Sequence, residues 1–196
     1  MTAGAFVVQV GIGAAAFATT NLDGLLLLMA LYAHGGFGRR AVALGQALGM
    51  AALVLASLAG AAGASMAPAR WVPWLGLAPL ALGVRGLLTA APAGAGVAAT
   101  ADGIPGGAGR TLAVTGLAMA SGGDNLGVYI PLFANAPGAV PLYVAVFAVM
   151  TAAWLWLARQ LAASAQGRAR IGAFARVALP LVLTALGARL LAGAAA

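Results

Sequence analysis

The feature that most constrains this chain is how far it runs without a charge. Of 196 residues, 63% are hydrophobic and 7% are charged; the ten basic residues are all arginine and the three acidic ones all aspartate. A soluble domain is about one quarter charged, so this chain lacks the polar side chains to face water and suits a lipid bilayer instead. Apolar runs broken by Arg, Pro and Gly lie at Gly4 to Ala33, Ala41 to Met66, Trp71 to Ala91, Thr111 to Ala134, Val140 to Ala163 and Arg176 to Leu191. A membrane-spanning helix needs about 20 such residues. The predicted fold is therefore all-α: a polytopic membrane protein with six transmembrane helices in a single domain, residues 1–196. The first run lacks a basic leader and continues past Ala16-Phe17-Ala18 to Tyr32, so it reads as a retained span rather than a cleaved signal.

Short connections join neighbouring spans, but residues 92–109 form a longer Gly/Ala/Pro-rich linker around Asp102, separating half-repeats of about 1–91 and 110–196. Three spans per half is an odd number, so the second half enters the membrane from the opposite side, a 3+3 inverted repeat. Thr20-Asn21-Leu22-Asp23-Gly24 and Asp124-Asn125-Leu126-Gly127 give a short internal echo, with Asn-Leu in register. Arg39, Arg40, Arg110, Arg168 and Arg170 lie in the first, third and fifth loops, and Arg85, Arg159 and Arg176 adjoin them, against Arg70 and Arg189 on the other side. The positive-inside rule places those loops in the cytoplasm and both termini outside. Trp71, Trp74, Trp154 and Trp156 read as interfacial anchors, and His34 as an interface residue.

Two of the three acids, Asp23 and Asp124, fall inside predicted spans. A carboxylate at a helix centre costs about 2.5 to 3.5 kcal/mol on insertion scales, so intramembrane acids point first to function. Thr19, Thr20 and Asn21 surround one, and Ser121, Gly122, Gly123 and Asn125 the other. These glycines, with Pro131 seven residues beyond Asp124, should bend or unwind the fourth span at its polar centre. Unwound helices meeting at mid-membrane can hold a cation between carboxylates, side-chain oxygens and freed carbonyls. The candidate metal-binding residues are Asp23, Asp124, Asn21, Asn125, Thr20 and Gln46, the last with a competing role in helix packing between Gly45 and Gly49. The structural alternative pairs each acid with an intramembrane arginine such as Arg85 or Arg189.

The scatter of the arginines argues against nucleic-acid binding. The absence of Cys and Glu, and the single His, leave no donors for a metalloprotease and no thiol nucleophile, so the chain does not read as an enzyme and calls for no cofactor. The expected partners are the bilayer, a divalent cation as substrate and protons as counter-ion, and a homo-oligomer is compatible with the sequence. Alternative readings are export of a small organic cation or amino acid, and a structural membrane subunit without transport.

The segments Ala18-Thr19-Thr20-Asn21-Leu22-Asp23-Gly24, Leu44-Gly45-Gln46-Ala47-Leu48-Gly49, Arg70 to Gly83 and Gly122-Gly123-Asp124-Asn125 through Pro131 to Phe133 occur in order across both halves. In these the chain resembles the cadmium-resistance transporter family of the lysine-exporter superfamily. The resemblance implies a six-helix, multi-pass protein of the bacterial inner (plasma) membrane that exports heavy-metal or other divalent cations. That family's first motif commonly ends in two consecutive acids, where this chain has Gly24 after Asp23.

Overall fold

The computed structural model describes residues 2–34, 36–66, 84, 106–163 and 184. Four of the six expected spans are thereby seen; the stretches Trp71 to Ala91 and Arg176 to Leu191 lie outside the described residues apart from Val84 and Thr184, both helical. Among the described residues the regular structure is all helical, with no strand: α1 (Ala3–Thr20), α2 (Leu22–His34), α3 (Arg39–Met66), α4 (Ala108–Ser121), α5 (Gly123–Asn135) and α6 (Val140–Ala162), with a single 3-10 turn at Pro137–Ala139. By length and hydropathy, α1, most of α3, and α6 with its preceding turn could each cross a membrane.

The first expected span is two helices, α1 and α2, interrupted at Asn21 (φ −114°, ψ 19°). The fourth is α4 and α5, interrupted at Gly122 (φ −88°, ψ 19°). Both residues sit in the sparsely populated bridge region, enough to turn the chain without unravelling it. At the first break the Asn21 N–H reaches Phe17 O and the Leu25 N–H reaches Asn21 O; at the second Gly122 N–H reaches Ala118 O and Asn125 N–H reaches Gly122 O. The fourth span is thus interrupted at its polar centre, as expected, while Pro131 lies inside α5 and that helix continues to Asn135. At Gly122 a Cβ would stand 2.2 Å from Leu53 Cδ1, 2.9 Å from Asn125 Nδ2 and 3.1 Å from Ala118 O, so glycine at the break lets the Leu53 side chain of α3 pack against it.

The break positions revise the internal echo as well. Leu22 and Gly123, His34 and Asn135, and Arg39 and Val140 are each 101 residues apart, so the helices after the breaks and the starts of α3 and α6 coincide in that register. It sets Asp23 against Asp124 and Asn21 against Gly122, three residues away from the Asn-Leu alignment that the sequence suggests.

Contacts between helices fix their directions. Gly45 abuts Thr111 and Val114, Gly49 abuts Thr115 and Ala118, and Gly60 abuts Ile130, so α3 runs parallel to α4 and α5. Gly13 abuts Tyr143, Phe17 packs on Phe147, and Trp154 reaches Asn21, so α6 runs parallel to α1 and α2. Because α2 leads through a short connection into α3, these two sets run in opposite directions. The ends of α3 and α6 bearing Arg39 and Arg159 both lie within electrostatic reach of Tyr32, near the end of α2, as arginines gathered on one side require.

Two apolar clusters flank the breaks. One is aromatic, with Phe17, Tyr129, Phe133, Tyr143 and Phe147, the Tyr129 and Phe147 ring centroids being 4.4 Å apart. The other is aliphatic, with Leu25, Leu27, Leu28, Met29, Leu31, Val42 and Val114. Helix α6 spans both through one inward stripe, Tyr143, Phe147, Thr151, Trp154, Ala158 and Ala162, whose spacing of three and four residues keeps them on one face.

Candidate functional site

Each break places an aspartate at the second residue of the helix that follows: Asp23 in α2 and Asp124 in α5. The helices restart immediately after the interruptions, so both acids belong to first turns, where backbone N–H groups lie close to a neighbouring carboxylate. The amides of residues 23 and 24 act on the Asp23 carboxylate, and those of residues 124 and 125 on that of Asp124. The two acids are close enough for Asp23 to act electrostatically on Asp124. Asp23 is half-buried and Asp124 is 8% exposed, with Asp124 Oδ1 sealed from solvent and without a hydrogen-bond partner among the described residues. No arginine within the described residues forms an ion pair with either acid; Arg85 and Arg189, which a structural pairing would use, lie outside them.

Beside the acids runs a network that ties one break to the other. The Asn21 side-chain Nδ2 donates toward Tyr129 Oη at 2.8 Å and Phe17 O at 2.9 Å, with Thr20 Oγ1 at 3.1 Å and Asn125 Oδ1 at 3.3 Å more distant. Asn125 Nδ2 returns a contact to Asn21 Oδ1 at 3.4 Å. Thr20 Oγ1 lies 3.0 Å from Ala16 O and 3.2 Å from the Tyr129 hydroxyl. The Trp154 indole N–H donates to Asn21 O at 2.8 Å.

Five of the six expected site residues, Asp23, Asp124, Asn21, Asn125 and Thr20, are therefore gathered around the two breaks. Gln46 stands on α3 in the buried stripe Gln46, Met50, Leu53 and Ser57, the same stripe that brings Leu53 onto Gly122 and Met50 into the aromatic cluster. It is 6% exposed, and its Oε1, like Asp124 Oδ1, has no hydrogen-bond partner among the described residues. The packing seam beside it is made by Gly45 and Gly49, with Thr115 Oγ1 donating to Gly45 O at 3.3 Å. Within the described residues no three His, Cys, Asp or Glu side chains form a metal-holding group.

Two residues joined to the site are missing from the expected set. Tyr129 is fully buried, and its position four residues after Asn125, one helical turn, is the signal that could have revealed it. Trp154, expected as an interfacial anchor, instead packs edge-on against Phe17 and holds the Asn21 carbonyl, while Trp156 is exposed. Tryptophan at this depth satisfies its N–H against a carbonyl available at a helix break. Trp71 and Trp74 lie outside the described residues.

Discontinuous helices that meet with acids at their junction, within a bundle of long apolar helices, are an arrangement found in membrane transport proteins. The sequence profile of the cadmium resistance transporter family matches residues 17–196. This chain belongs to that family. Comparison with curated proteins and with solved structures finds no match.

Proposed function

We propose that the protein is a secondary transporter of the bacterial inner membrane that exports cadmium or other divalent cations in exchange for protons. The observation carrying this reading is the buried Oδ1 of Asp124, without a hydrogen-bond partner among the described residues, beside a second acid at a helix break. A carboxylate so placed is costly unless something compensates its charge, and a cation shared with Asp23 does so. Asn125, Asn21, Thr20 and Gln46 supply neutral oxygens around it, and protons replace the cation when it leaves. All these donors are oxygens, a set that suits Mn²⁺, Mg²⁺ or Ca²⁺ as well as softer ions. The shared 101-residue register and the opposed directions of the two broken spans support a 3+3 inverted repeat. No cofactor is required and the chain is not an enzyme in this reading; assembly with further copies is compatible with it.

Purified protein in proteoliposomes, given a proton gradient and Cd²⁺, Mn²⁺, Mg²⁺ or Ca²⁺ singly, tests the proposal. Cation movement against the proton gradient is the expected result. No cation movement, or transport only of an organic cation or amino acid, overturns it. Topology offers a separate test, because arginines cluster at the Arg39 and Arg159 ends of α3 and α6. Reporters fused at either terminus are expected to be active outside the cytoplasm, and activity only inside would reverse the orientation.

A further inference from the structure

The geometry points to Tyr129 as the positioning residue of the site: its hydroxyl pins the break between α1 and α2 to α5, so that Asp23 and Asp124 are presented together. The inference rests on the proposed transport function for its consequence, but on hydrogen-bond accounting for its substance. Asn21 Nδ2 has two protons and four neighbouring acceptors. The two shortest contacts, to Tyr129 Oη and Phe17 O, take them. Phe17 O can only accept, which fixes the amide with its nitrogen inward and its Oδ1 toward Asn125.

The remaining protons then order themselves. Thr20 gives its single hydroxyl proton to Ala16 O, four residues back in α1, and Thr20 Oγ1 is left to accept from Tyr129. Tyr129 thereby donates to one residue of the first break and accepts from the next, and every proton in this part of the network is used. The Asn21 to Asn125 contacts, at 3.3 and 3.4 Å, are the long ones. Direct amide pairing between the breaks is consequently the weaker tie, and the tyrosine the stronger. Its ring is held independently by Phe147 and Phe133, with centroids 4.4 and 6.2 Å away, so the hydroxyl has a rigid mount. Asn21 is thus clamped, whereas Asn125, adjacent in sequence to Asp124, is tied to the other break only by the two longer contacts.

Tyr129→Phe removes the hydroxyl and keeps the ring. The chain has no cysteine, so Ala15→Cys and Gly123→Cys, both exposed, can carry spin labels on either side of the junction. Without any ion present, the label-to-label distance distribution is expected to broaden in Tyr129→Phe, and in Thr20→Val, which removes the same bond from its other end. It should stay as in the parent for Tyr143→Phe, another buried tyrosine whose hydroxyl meets Gln9 instead. In proteoliposomes the KM for Cd²⁺ is expected to rise about ten-fold in Tyr129→Phe, the effect of one buried hydrogen bond, with the maximal rate within about two-fold of the parent by the same reasoning. The double variant should match the worse single one, because both break one shared bond. An unbroadened distribution overturns the inference whatever the transport result. A broadened one with an unchanged KM also overturns it, since the junction would then loosen without affecting the acids. If the parent itself moves no cation while Tyr129→Phe broadens the junction, the clamp stands and the transport reading fails.

Discussion

Asp124→Asn protein is expected to fold as well as the parent yet to move at least about a hundred-fold less cation, a loss matching the several kcal/mol that an uncompensated buried charge costs. The substitution keeps the shape of the side chain and a neutral oxygen, and removes the charge that a dication needs in a low-dielectric site. Because Asp124 Oδ1 has no hydrogen-bond partner among the described residues, neutralising it breaks no visible contact. It should also relieve part of the about 2.5 to 3.5 kcal/mol insertion cost of an intramembrane acid. The yield of folded, monodisperse protein should therefore equal or exceed that of the parent. Gln46→Ala, which deletes one neutral dipole, is expected to reduce uptake far less. Initial rates in proteoliposomes, normalised to folded protein, decide the matter. A variant that fails to fold while its surviving fraction still transports would make Asp124 a structural partner instead.

Gly45→Val is expected to have the largest effect on stability. A Cβ at Gly45 would stand 2.5 Å from Val114 Cβ and 2.7 Å from Thr111 O. Neither neighbour is the far end of a flexible side chain; one is a branch point and the other is backbone, so α3 and α4 must move apart to admit it. Overpacking of this kind costs about 3 kcal/mol, and the same displacement would pull Leu53 from Gly122 and open the second break. Gly63, on the same helix, is exposed, and a Cβ there would meet no atom within 4 Å. Gly63→Ala should leave thermal unfolding in detergent at or slightly above the parent value, as helix propensity favours alanine. Equal stabilities for the two variants would show that the α3 and α4 contact is not close.

Much of this arrangement is legible in the sequence because bilayer physics reduces the choices. Apolar runs fix the spans, and the helices seen begin or end within three residues of the expected limits, as at Ala108 against Thr111 and Asn135 against Ala134. The cost of an intramembrane charge picks out Asp23 and Asp124, and one helical turn adds Thr20, Asn21 and Asn125 around them. What was not legible depended on long-range contact. Gly122 is one of several glycines in its span, and only the approach of Leu53 singles it out. Trp154 looks like any interfacial tryptophan until α6 lies beside Asn21, and Tyr129 looks like core until its hydroxyl meets two residues more than a hundred positions away.

The placement of both acids at the second residue of a helix bears on how firmly an ion could be held. The N-terminus of a helix carries the equivalent of roughly half a positive charge, concentrated in its first turn. Asp23 sits on that end of α2, and Asp124 on that end of α5. A divalent ion between them would meet two carboxylates backed by two positive helix ends, a net field of about one negative charge rather than two. Such a site attracts a dication but does not neutralise it fully, which sets a ceiling on affinity and shortens the ion's residence. For a carrier that must let go on the far side of the membrane in every cycle, this dilution favours turnover over capture.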